Sequence, residues 1–146
     1  MNDLTNLIMR YYGCATWNSG AIVIASMIEA YNDRHRLKVP DNAEWCAILL
    51  CNLCPYLNYK IEGANAWVAS WCNLGNTIMF DAAQMGDIVI IGDKVNQKHI
   101  TTFIRWSNDK TYMYCLGGNQ GNEINISKFP KESIFKIIRL HKTTQS

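Results

Sequence analysis

The texture of the chain changes at Gly86, and this change limits the possible folds more than any other feature. Beyond it, residues 87–91, 99–106, 111–116, 123–129 and 133–140 are rich in Ile, Val, Thr, Tyr and Phe, with short polar or Gly/Asn/Pro punctuation between them. Such short connections predict a mainly antiparallel sheet. The first half reads differently. Apolar residues at Ala21, Ile22, Ile24, Ala25, Ile28 and Tyr31 predict a helix over 18–36, and Arg34, His35 and Arg36 suit its C-terminal end. After Pro40, the run Asp41-Asn42-Ala43-Glu44 resembles a capping box and opens directly into WCAILLCNLC, the clearest helix start in the chain. A third short helix is expected over 64–73, ending near Gly75. Helices first and strands afterwards predict an α+β fold, with N-terminal helices packed on one side of a five- to six-stranded sheet.

A chain of 146 residues predicts one domain, and its 49% hydrophobic content is enough to build a core. The net charge of +2 is scattered, which argues against a nucleic-acid surface while leaving room for approach to an anionic polymer. No apolar run approaches the roughly 18 residues of a membrane span. The N-terminus, MNDLTNLIMRYYG, lacks the basic start of a classical signal peptide, so synthesis in the cytoplasm is expected. Six cysteines are too few for a disulfide scaffold and read as reduced thiols, five of them buried hydrophobes. Cys51 and Cys54 form a C-x-x-C with no second paired cluster, so neither a zinc site nor any cofactor is expected.

Cys46 is the cysteine placed just after a convincing helix start. The free N–H groups and partial positive charge there stabilise a thiolate, and they can also hold a developing oxyanion. A base is then needed. His141 lies near the chain end and His35 at the charged end of a helix, whereas His99 opens a strand, from which its ring can reach a helix terminus. Hairpin arithmetic supplies a third residue. If Asn108-Asp109-Lys110 is a three-residue turn, Ser107 faces Thr111 and His99 faces Asn119. A two-residue turn would bring Gly118 there instead, and Gln120 is the fallback. Among the tryptophans, Trp67 and Trp71 are four apart and are expected to share a helix face in the core, while Trp45 beside Cys46 is a candidate wall of a substrate cleft.

Taken in order, Trp45-Cys46, AWVASWCNLG (66–75), GDIVII (86–91), His99-Ile100 and LGGNQGNEINISKFP (116–130) resemble a branch of the CHAP/NlpC-like cysteine hydrolases common among phage and bacterial cell-wall-lysis proteins. The resemblance runs over about residues 41–140. It implies a papain-like fold in which Cys46 attacks an amide in the peptide part of peptidoglycan, His99 takes the thiol proton and Asn119 orients the imidazole. Gln120 and Thr101 would join Trp45 in contacting substrate. One departure stands out: the family often has His-Val-Gly where this chain has His99-Ile100-Thr101, so Thr101 is expected to narrow the cleft and alter substrate choice.

The resemblance implies an amidase or endopeptidase acting at the cell wall or periplasm, or after secretion. The sequence offers no separate wall-binding domain, so affinity is expected to come from the catalytic domain itself. Reaching that substrate would require a holin or a secretion apparatus, and a secreted effector would be matched by an immunity protein. Neither a nucleic acid nor a membrane is an expected partner. Two other readings share these residues: a papain-like peptidase or acyltransferase working on cytoplasmic proteins, and a binding module without turnover.

Overall fold

The computed structural model describes residues 2–40 and 44–143. Three helices, α1 (Asp3–Met9), α2 (Ala21–His35) and α3 (Cys46–Tyr56), precede six strands: β1 (Asn76–Ile78), β2 (Ile88–Gly92), β3 (Gln97–Trp106), β4 (Tyr112–Gly117), β5 (Asn125–Pro130) and β6 (Ile134–Arg139). The strands form one sheet in the order β1-β6-β2-β3-β4-β5, with every neighbouring pair antiparallel. The protein is therefore α+β, and each of the five expected strands is present with its ends within two residues of those read from the sequence. The sixth is β1, a three-residue edge strand beside β6 that is too short to carry an alternating pattern.

Burial follows from composition. Ile88, Val89, Ile90 and Ile91 are all buried, as expected of a central strand covered on both faces. Ile88, Ile90, Ile100, Leu116 and Ile138 pack with the helices, whereas Val89, Ile91, Phe103, Met113, Cys115 and Ile137 form a second cluster that Phe80 and Ala83 help to cover. Helix α3 is buried from Cys46 to Cys51, so it is apolar all round and has no solvent face there. It packs against α1, α2 and β3.

The helical half departs from expectation at two places. Helix α1 was not anticipated, although Asn2 caps it by accepting from the N–H groups of Leu4 and Thr5 while Leu4, Leu7 and Ile8 bury one face. In place of a helix over 64–73 there is only a 3-10 turn, Val68–Trp71. Side chains compete for the backbone here: Asn65 Oδ1 accepts from the Trp67 N–H at 2.8 Å, and Ser70 Oγ donates to the Trp67 carbonyl at 2.6 Å. As a result Trp71 is fully buried and Trp67 is 78% exposed, instead of sharing a core face. The capping box begins at Asp41, which lies outside the described residues. The cap residue of α3 is Trp45, whose side chain makes no capping bond.

Candidate active site

Cys46 is the first residue of α3, and its sulfur faces the backbone N–H groups of Ile100, Ala47 and Cys46 itself. Helix α3 thus delivers the thiol to β3 beside His99. Strand β4 ends at Gly117, short of this point, and Gly118 lies beneath Trp45. A Cβ on Gly118 would come within 2.5 Å of the Trp45 ring, so the absence of a side chain lets the start of α3 sit against the end of β4. Burial pushes the Cys46 thiol above its ordinary value. The three N–H groups oppose this without overcoming it, and the carboxylate of Glu44 adds to the rise. A thiolate stabilised by the helix terminus, the sequence-based expectation, is therefore outweighed by desolvation.

His99 is fixed from the opposite side. Its Nε2 lies 3.2 Å from Gln120 Oε1, which also accepts from Thr101 Oγ1 at 2.7 Å. The Gln120 amide nitrogen faces only acceptors: the Asn125 carbonyl at 2.8 Å, Asn125 Oδ1 at 3.0 Å and the Cys115 carbonyl at 3.3 Å. This fixes which end of the amide is oxygen, so Nε2 must be the protonated nitrogen of the imidazole, and Nδ1 holds the free lone pair. Burial lowers the affinity of His99 for a proton, while the bond to Gln120 and the Glu44 carboxylate act the other way; the net shift is downward. Near neutral pH the imidazole is uncharged and able to accept a proton.

Gln120 sits where the hairpin arithmetic put Asn119, and the backbone explains why. Near the turn, Trp106 pairs with Met113 and Arg105 with Tyr114, around a loop longer than three residues. A bulge at Ile104 then resets the ladder, so Phe103 pairs with Cys115 and Thr102 with Leu116, the register that the three-residue turn would have given. Extended further, it would set His99 opposite Asn119. Instead Asn119, at φ +57°, enters a turn in which Gly121 and Asn122 are left-handed too, and Gln120 is the residue that reaches the ring. Asn119 lines the cleft, and it is the Gln120 side chain that bonds His99.

An open cleft of about 380 Å³ contains Cys46, His99, Asn119, Gln120, Ser127 and Phe129. A second, of about 620 Å³, reaches Cys46 from the side of Trp67, Val95 and Asn96, and Glu44 and Lys98 line both. Trp45, a candidate cleft wall, is instead buried against Gly118 and belongs to neither lining. Thr101, expected to narrow the cleft, is fully buried and acts on the site through Gln120. Sequence reasoning passed over Glu44, seen only as a helix cap, and Phe129, whose ring lies 5.6 Å from the imidazole. The strand register alone pointed to Phe129, since it pairs with Met113 two residues along from Cys115 on the same sheet face. Cys51 and Cys54 are free thiols within α3; burial pushes Cys51 up to about 12 and Cys54 upward as well. Among the described residues, no group of three or more His, Cys, Asp or Glu side chains is placed to hold a metal, and no helix is long and apolar enough to cross a membrane.

No protein-family model matches the chain, and no curated protein matches its sequence.

Proposed function

We propose that this protein is a cysteine amidohydrolase of the papain-like, CHAP/NlpC-like kind, cutting an amide in the peptide part of bacterial peptidoglycan. The observation that carries the chemistry is the pairing, in one open cleft, of a thiol at a helix N-terminus with an imidazole whose Nε2–H is tied to Gln120. Both groups are neutral at rest, so the sulfur attacks the carbonyl as Nδ1 of His99 removes its proton. First-turn N–H groups of α3 receive the developing oxyanion. The imidazolium then gives its proton to the departing amine, and water releases the acyl group from sulfur. Gln120 is the orienting residue: it selects the tautomer and stabilises the imidazolium.

The wall substrate is supported by the ordered motifs from Trp45-Cys46 to LGGNQGNEINISKFP. On this reading the enzyme reaches the wall with a holin or through a secretion apparatus, and a secreted form is held in check at home by an immunity protein. The test is digestion of purified sacculi by the wild type and by Cys46→Ala, with mass spectrometry of the soluble products. Release by the wild type alone is expected. If a folded wild-type protein releases nothing from several wall chemotypes, the wall substrate is refuted, and amides of cytoplasmic proteins become the next substrates to assay.

A further inference from the structure

Trp67 is exposed on a turn whose main chain is hydrogen-bonded in place. Its N–H and carbonyl are held by Asn65 and Ser70, and Trp71 anchors the same turn by donating from Nε1 to the Asn65 carbonyl at 3.0 Å. Val95, 93% exposed, is held as firmly: Asp93 Oδ1 accepts from the N–H groups of Val95 and Asn96 at 2.9 and 2.8 Å. Both side chains line the cleft of about 620 Å³ that ends at Cys46, a volume within the roughly 300–1,000 Å³ of small-molecule sites. Two exposed apolar side chains on hydrogen-bonded main chain beside the thiol give the cleft a backbone frame that is set before a ligand arrives.

The catalytic geometry says which half of a substrate lies there. The leaving amine must lie on the His99 side of the sulfur, because the imidazole protonates it. His99 lines the smaller cleft and is absent from the lining of the larger one. The larger cleft therefore takes the acyl half. An exposed indole in a cleft that Asn96, Lys98 and Glu44 also line suits a ligand with one C–H face and a polar rim, such as a pyranose.

We propose that the larger cleft is a sugar subsite, in which Trp67 stacks on the N-acetylated pyranose whose lactyl arm forms the acyl group. This rests on the hydrolase reading and makes the enzyme an amidase. Sulfur bonds to the lactyl carbonyl carbon as the C–N bond to the first amino acid breaks; the thiol proton passes through His99 to the amine. Water then hydrolyses the thioester to a lactyl carboxylate and restores the thiol. The amine half, a stem peptide, occupies the smaller cleft against Ser127 and Phe129.

The experiment uses 15N-labelled Cys46→Ala protein, with the Trp67 indole resonance assigned through Trp67→Phe. It is titrated separately with an N-acetylglucosamine trisaccharide and with a synthetic wall stem tetrapeptide. The trisaccharide is expected to shift the Trp67 indole saturably, and the tetrapeptide to shift the Ser127 and Gly121 amides while leaving the indole in place. Trp67→Ala should weaken trisaccharide binding by about tenfold or more. A tetrapeptide that moves the indole, or a trisaccharide that moves no resonance in the cleft, overturns the subsite. Products of wild-type digestion complete the test: peptides with a newly freed N-terminal alanine fit an amidase, and cuts within the stem overturn it. Failure to digest sacculi at all, with the indole shift intact, would instead refute the wall-hydrolase reading and leave sugar binding standing.

Discussion

Replacing Gln120 and Asn119 in turn by Ala separates the geometry from the hairpin arithmetic. Gln120→Ala removes the bonds to Thr101 and His99 and two well-formed bonds to Asn125. At about 1 kcal/mol for each neutral bond, partly recovered by water entering from the cleft, the cost in stability is about 2–3 kcal/mol. The effect on turnover comes from the difference between two states of the imidazole. A bond worth about 1 kcal/mol to neutral His99 becomes worth about 2–3 kcal/mol when the ring is charged. The extra 1–2 kcal/mol acts only once the proton has moved, which is about 5–30-fold in rate at 1.36 kcal/mol per tenfold. Loss of the fixed tautomer adds to this, so kcat should fall by about 10–100-fold. Asn119→Ala loses no bond to His99; it places Ala in the left-handed region at φ +57°, costing about 1 kcal/mol of stability, and should change kcat by less than about threefold. Initial rates on sacculi, with circular dichroism and thermal melts to verify folding, decide the matter. A larger loss of kcat in folded Asn119→Ala than in folded Gln120→Ala would refute the assignment.

Four further outcomes follow from the structure. Because His99 is shifted below its ordinary 6.5, activity should hold down to pH values below 6.5 before its acid limb, and Gln120→Ala should move that limb lower still; a pH–rate profile with an acid limb above 6.5 contradicts this. The same shift affects stability, since the unfolded chain binds the proton more readily: stability contributed by neutral His99 is full above 6.5 and is lost as pH falls from there to the folded value, which thermal melts from pH 7 to 5 would register. Gly118→Ala should cost about 1–3 kcal/mol and lower kcat, because the new Cβ displaces Trp45 and with it the start of α3; an unchanged melting temperature would mean the ring yields freely. Arg139→Met leaves buried Asp87 without the guanidinium that donates to it at 2.9 and 2.8 Å, and with Arg139 itself 38% exposed the cost should be about 2–3 kcal/mol in urea unfolding, with kcat unaffected.

The sequence showed much of the sheet and little of the site's finer geometry, and the difference has a physical cause. A strand such as Ile88–Gly92, buried on both faces, writes its environment as an uninterrupted apolar run, which no neighbouring residue can disguise. Trp67 and Trp71 show the opposite case. Their spacing fits one helical face, yet the hydrogen bonds from Asn65 and Ser70 stop the helix and turn the two indoles to opposite fates. Likewise the register that sets Asn119 opposite His99 is restored by the bulge at Ile104 and fails at its last step, where the chain turns through left-handed Asn119, Gly121 and Asn122 and Gln120 bonds the ring. Cys46 and His99 were legible because a helix start and a strand start are local signals. The identity of the residue bonded to His99 depends on the whole turn from β4 to β5, with left-handed Asn119, Gly121 and Asn122 and the bonds between Gln120 and Asn125, and no local pattern announces it.

The two pKa shifts bear on how such a site would avoid unwanted chemistry. A helix N-terminus alone would favour a thiolate, a species open to oxidants and alkylating agents whether or not substrate is present. Here burial raises the thiol and lowers the imidazole, so both hold their neutral forms, and the Glu44 carboxylate opposes the thiolate while favouring the imidazolium. Glu44 thus works against a free thiolate at rest and, in the proposed reaction, for the charged base formed during attack. In the proposed reaction the sulfur becomes a strong nucleophile only as Nδ1 takes its proton, and that transfer is favourable when a carbonyl is in place to accept the electron pair and the first-turn N–H groups of α3 receive the resulting oxyanion. Desolvation, which defeats the helix terminus in the resting state, also strengthens each of these interactions once charge develops. On the proposed reading, the same burial that makes Cys46 a weak acid confines its reactivity to the moment when a substrate fills the cleft.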